Sequence, residues 1–180
     1  MDFYINDDTA WLRRAVRWVV NIVVAIACGW FLVYGFGEQV LISGNSMQPQ
    51  LSAQDVVLMN RITYVTGDPG RFDVVVFERE DGKKNVKRII GLPGETVQIR
   101  DNRVYINGEP LKEDKMGEVS LAGRAADPVR LGEKEYFLLG DNRGSSEDSR
   151  FPNIGNVKRE QILGKAWFRM LPLLNLGFVS

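Results

Sequence analysis

The chain has 180 residues, 23 basic and 23 acidic side chains, one cysteine and no histidine. Its length suits one domain with a hydrophobic core plus an appendage, and its even charge balance gives no electrostatic case for a nucleic-acid partner. The lone cysteine, Cys28, excludes an intrachain disulfide and a cysteine-rich zinc site, while the missing imidazole excludes Ser-His-Asp and Cys-His catalysis and histidine-ligated zinc. A hydrolase built from this chain must take its base from Lys, a carboxylate or Tyr, or use a carboxylate-bound metal.

Residues 1–17 are polar and end with Arg13, Arg14 and Arg17. Residues 18–36 are apolar apart from Asn21 and two glycines, and as a helix they would run for roughly 28 Å, near the thickness of a bilayer's hydrocarbon core. Trp11 and Trp18 flank one end, and Trp30, Phe31, Tyr34 and Phe36 the other, as in interfacial aromatic belts. Arginines ahead of the helix would leave residues 1–17 in the cytoplasm and residues 37–180 outside the cell membrane. A cleaved signal peptide is the rival reading, because Ala25-Ile26-Ala27 has the small-x-small pattern of a cleavage site and Cys28 follows it. The apolar run continues well past that point, longer than a signal core needs, which favours an uncleaved single-pass anchor in the lipid bilayer. A buried core helix is disfavoured at this length without charges.

After Gly37 short β-branched and aromatic runs alternate with Gly, Pro, Asn and Asp turns. The runs are 38–42, 55–59, 73–77, 85–90, 97–99, 104–106, 136–139 and 166–168, a spacing that predicts a mainly β, antiparallel domain. Residues 96–111 read as a β-meander, with Asn107-Gly108 making a tight turn. Residues 112–130 are charged, rich in small side chains and free of aromatics, so they read as a small insertion or mobile excursion. Residues 171–178 are apolar but too short to span a bilayer; they are expected to pack on the β domain or lie near the membrane surface.

Three stretches carry candidate chemistry. In Ser43-Gly44-Asn45-Ser46-Met47-Gln48-Pro49, Gly-Asn is turn chemistry and Pro49 steers Gln48 away from helix, so Ser46 is held at a bend after an apolar strand. It is either a turn residue or a nucleophile. With no imidazole, a serine's partner would be a lysine made neutral by burial, which can lower its pKa by up to about 3–5 units. Of eight lysines, Lys87 in Asn85-Val86-Lys87-Arg88-Ile89-Ile90 is best placed, on the face that carries Ile89. Lys165 near the last strand stays open as a candidate, and Lys87 also reads as an edge-strand lysine that discourages aggregation. The third stretch, Gly140-Asp141-Asn142-Arg143-Gly144-Ser145-Ser146-Glu147-Asp148-Ser149-Arg150, is either an ordinary polar loop or the source of an orienting hydroxyl and a carboxylate–arginine pair.

Taken together and in this order, residues 43–51, 87–95 and 140–150 resemble the serine box, lysine box and GDNR-x2-S-x-DSR box of bacterial type I signal peptidases. The likeness extends from the anchor to Gly164-Lys165-Ala166-Trp167. It implies that Ser46 is the nucleophile, with its own N–H as an oxyanion donor, and that Lys87 is the general base. Ser146 would position the lysine, Asp148 and Arg150 would stabilise the loop, and Asp141 and Arg143 would brace the same region. Gly44 stands where some members carry a second oxyanion serine, as in the Gram-positive type, leaving that donor to a backbone amide or water. The implied fold is an antiparallel sheet of coiled-barrel type behind a single transmembrane helix. The implied substrates are secreted preproteins bound by strand addition and cut after small residues of Ala-X-Ala type, with Ile42, Met47, Leu51 and Val86 lining the pockets. No cofactor, metal or nucleic acid is implied, and oligomeric state is left open. The alternatives are a non-catalytic membrane-tethered β module of the secretion machinery and a self-cleaving Ser/Lys protein of related fold.

Overall fold

The computed structural model describes residues 10–65, 67–112, 114 and 116–179. Residues 1–9 of the expected cytoplasmic segment, and Lys115, lie outside the described residues. The chain divides into two units, Met1–Gly37 and Glu38–Ser180.

The first unit is one helix, α1 (Ala10–Phe36). It begins ahead of the apolar run, because Arg13, Arg14 and Arg17 are good helix formers and no proline interrupts them. Within it, Trp11–Phe31 is long and apolar enough to cross a membrane, and every side chain from 11 to 31 is exposed.

The second unit is β throughout, with short 3-10 turns. Its strands are β1 (Gly37–Leu41), β2 (Val56–Asn60), β3 (Val74–Glu78), β4 (Lys84–Gly91), β5 (Thr96–Arg100), β6 (Arg103–Ile106), β7 (Glu109–Pro110), β8 (Val129–Arg130), β9 (Glu135–Leu139), β10 (Val157–Lys158), β11 (Ile162–Leu171) and β12 (Gly177–Phe178). An eight-stranded sheet runs β1-β2-β11-β3-β4-β9-β10 with β12 added to β11, and a four-stranded sheet runs β7-β6-β5-β8. The expected meander is β5–β6–β7, paired Val97↔Ile106 and Tyr105↔Pro110.

Burial explains the strand sequences. Val74 and Val76 pack in one hydrophobic cluster with Met47, Leu51 and Val86, whereas Val75 and Phe77 pack in another with Ile89 and Leu138. β3 is therefore covered on both faces, and its run of Val-Val-Val-Phe is the pattern of a central strand. A third cluster joins Val97, Ile99 and Val104 of the small sheet to Ile90, Phe137 and Leu139 of the large one. Within 112–130, expected as a small insertion or mobile excursion, Val119 and Ala125 are buried in the same cluster. Charged composition hid those two small anchors.

Candidate active site

Residues 43–51 lie between β1 and β2. Asn45 C=O accepts the Gln48 N–H at 3.2 Å and Met47 C=O accepts the Leu51 N–H at 2.8 Å, so the segment folds as consecutive tight turns. Met47 and Leu51, both fully buried, anchor the turns in the first cluster. Each such side chain contributes about 1.5–3 kcal/mol of burial free energy. Ser46, between Asn45 and the Met47 anchor, is left half-buried.

Lys87 reaches this serine from β4, where it stands opposite Val75 of β3. Its Nζ is 2.7 Å from Ser46 Oγ and 3.2 Å from Val86 O. The ammonium donates to Oγ when the lysine is charged; when it is neutral, the hydroxyl donates to Nζ. Only 3% of Lys87 is exposed. Burial lowers its pKa from 10.5 to about 8, against the upward pull of Asp148, Glu147 and Asp141, while Arg79 lowers it further. That shift raises the neutral fraction at pH 7 about 300-fold. A buried lysine beside a hydroxyl is thereby a usable base near neutral pH.

The third stretch wraps round this pair. Asn142 donates from its backbone N–H to Ser46 O at 3.0 Å and from Nδ2 to Asn45 O at 3.2 Å, which joins the loop to the serine turn. Gly140 N–H donates to Asp148 Oδ2 at 3.0 Å. A Cβ on Gly140 would lie 2.1 Å from Ser146 Oγ and 2.5 Å from Ser46 O, so only glycine leaves room here for the Ser146 side chain and the Ser46 carbonyl. Ser146 Oγ is buried and has no hydrogen-bond partner among the described residues; its expected bond to Lys87 is not made here.

Asp148 and Arg150 form a pair of parallel hydrogen bonds, Nε to Oδ1 at 2.8 Å and Nη2 to Oδ2 at 2.9 Å. Arg150 also donates to the carbonyls of Leu121, Arg143 and Ser146, which accounts for every arm of a guanidinium that is 1% exposed. Asp141 and Arg143 brace the same region through other partners. Asp141 accepts from Arg88 Nε and Nη2 at 2.8 and 2.7 Å, and Arg143 Nη1 and Nη2 donate to Asp114 at 2.8 and 2.7 Å. Arg88 further donates to Phe72 O and Gln50 Oε1, each at 2.8 Å.

Ile42, Met47, Leu51 and Val86 are brought together in the first cluster, and Leu51 also lines a cavity of about 350 Å³ with Pro49, Gln50, Met116, Arg169, Phe178 and Val179. Lys165 is committed elsewhere: its Nζ donates to Asp73 Oδ1 at 2.5 Å. Sequence reasoning missed Arg88, Asp114, Gly140 and Asn142. Arg88 left a signal, since a second charge in an apolar strand demands a buried partner. Asp114 left none in its charged surroundings.

The chain is similar in sequence to known proteins. The family described as signal peptidase, peptidase S26, matches residues 15–171. Signal peptidase I T of Bacillus subtilis is 34% identical over 168 residues, covering 87% of this chain and 86% of that protein. Signal peptidase I of Leptolyngbya laminosa is 35% identical over 167 residues, covering 88% of this chain and 78% of that protein. The crystal structure of a signal peptidase I from Enterococcus faecalis, 36% identical, covers 55% of this chain and 97% of its own, with a TM-score of 0.47.

Proposed function

Since the chain belongs to the signal peptidase family, peptidase S26, and is a serine endopeptidase, we propose that Ser46 is its nucleophile and Lys87 the general base. The observation that carries this reading is the 2.7 Å approach of Lys87 Nζ to Ser46 Oγ inside a buried corner.

Neutral Lys87 takes the Ser46 proton as Oγ attacks the scissile carbonyl of the substrate, and the charge passes to the carbonyl oxygen. The Ser46 N–H, which makes no hydrogen bond among the described residues, faces that oxygen as a donor. Collapse of the tetrahedral intermediate expels the amine of the mature protein, which takes its proton from the Lys87 ammonium. Lys87, neutral again, deprotonates a water that attacks the ester; as the C–O bond breaks, the Lys87 ammonium returns that proton to Ser46 Oγ, and the signal peptide leaves as an acid that ionises to the carboxylate in solvent. Ser146 supplies a buried hydroxyl to the same corner. Asp148 with Arg150, Asp141 with Arg88, and Arg143 hold the loop that carries it.

The substrates are secreted preproteins with small residues one and three positions before the cut. Ile42, Met47, Leu51 and Val86 form the apolar floor beneath the serine turn. α1 is the membrane anchor, with its arginine-bearing end cytoplasmic and the β unit outside, which its apolar length and the position of Arg13, Arg14 and Arg17 support. The test is cleavage of a preprotein in detergent by wild type, Ser46→Ala and Lys87→Ala. Both variants should be inactive; cleavage by either removes that residue from its role.

A further inference from the structure

Asp114 lies in the segment whose composition suggested an insertion, yet its carboxylate pairs with Arg143 of the loop that carries Ser146. Both of its oxygens accept from Arg143, and the two side chains are 10% and 3% exposed. The remaining arm of that guanidinium, Nε, donates to Gly140 O at 3.0 Å. Gly140 is therefore held at its carbonyl by Arg143 and at its N–H by Asp148. Ser146 Oγ and Ser46 O lie so close to this fixed unit that a Cβ on Gly140 would clash with both. Two residues after Asp114, Met116 lines the cavity beside Pro49, Gln50 and Leu51. The segment thus flanks both the serine turn and the loop opposite it.

We infer that Asp114 is a positioning residue for the Ser46–Lys87 pair, acting through Arg143 to clamp Gly140 against both serines and so keep water from the corner that holds Lys87. This rests on the roles proposed for Ser46 and Lys87. The physical reason is that a buried guanidinium without its carboxylate is an uncompensated charge. Arg143 would turn toward water and release Gly140 O. The opened corner would then hydrate Lys87. The charged groups around that lysine are Asp148, Glu147 and Asp141 on the loop and Arg79 beyond β3, with Arg88 neutralised by Asp141 on its own strand. Hydration removes the burial that lowers the lysine's proton affinity and leaves the carboxylates in place, so that affinity rises.

The experiment compares full-length wild type, Asp114→Asn and Asp114→Glu on one preprotein, measuring kcat, KM and the pH dependence of kcat/KM. Asp114→Asn should lose about 10-fold in kcat with KM within about 2-fold. The rising limb of its pH profile should move up by about half a unit or more. Asp114→Glu, which keeps the charge but displaces the guanidinium by one methylene, should fall between. If Asp114→Asn does not fold by circular dichroism, Asp114→Glu decides alone, by the same limb. An unmoved limb overturns the inference, whatever happens to melting temperature or kcat, because a merely structural brace would leave the lysine's titration where it was. Ser46→Ala is run beside them: residual cleavage there counts against the nucleophile and not against the clamp.

Discussion

Ser46 and Lys87 are 41 residues apart in the chain, yet Oγ and Nζ meet at 2.7 Å. Each is delivered by burial of its neighbours: Met47 and Leu51 anchor the serine turn, and Val86 and Ile89 anchor the lysine strand. The hydroxyl–amine contact is thus a by-product of two apolar patterns fitting one core. Its chemical value comes from what surrounds the amine.

If Lys87 works by losing a proton, a permanent cation cannot replace it. Lys87→Arg keeps the charge but carries a guanidinium that does not deprotonate in proteins. Preprotein cleavage should fall about 1000-fold, within the range expected for loss of a general base. Near wild-type turnover by a folded Lys87→Arg protein would mean that the group acts as a charge.

The same burial should cost stability, with a defined sign. Lys87 titrates at about 8 in the folded protein against 10.5 as its ordinary value. The unfolded chain therefore binds more protons between those values, and stability rises with pH across that window. Below pH 8 the charged lysine costs about 3 kcal/mol, and above 10.5 this cost is gone. Chemical denaturation of Lys87→Met should show a variant more stable than wild type at pH 7, with an advantage that shrinks toward pH 10. A stability difference constant with pH would contradict the shift.

The ion pairs divide by burial. Arg150→Met leaves Asp148, which is fully buried, without its counter-charge. It should destabilise the protein by about 3–5 kcal/mol and abolish activity. Arg79–Glu147, with side chains 20% and 52% exposed, should matter far less: Glu147→Ala should cost no more than about 1 kcal/mol. Denaturant midpoints of the two variants make the comparison.

Two glycines flank the same corner with opposite expectations. Gly140→Ala places a methyl against Ser146 and the Ser46 backbone and should abolish cleavage. A Cβ on Gly44 meets nothing within 4 Å, so Gly44→Ser should fold as stably as wild type and keep activity. Equal tolerance at both positions, read by turnover and melting temperature, would contradict the packing described at residue 140.

The expected strands at 38–42, 55–59, 73–77 and 136–139 each lie within one residue of β1, β2, β3 and β9. Their β-branched and aromatic runs are bounded by strong turn residues, and so they were legible. β11 was not: residues 166–168 were expected, and Ile162–Leu171 is observed. A Cβ on Gly164 would lie 2.6 Å from Asn60 O, so this glycine, which is neither β-branched nor aromatic, continues the strand by permitting close approach to β2. The serine, lysine and loop stretches were legible as motifs. Their bracing was legible only within one loop, as for Asp148 and Arg150. The partners of Asp141 and Arg143 come from β4 and from residue 114, and such long-range pairing leaves no mark in local spacing.

The central claim, that Lys87 is a base because it is buried, is tested most directly by titrating that amine. NMR of protein carrying labelled lysine side chains, with Lys87 assigned from the signal missing in Lys87→Arg, should show that amine titrating at about 8. A Lys87 signal that titrates at the ordinary lysine value of 10.5 would contradict the account.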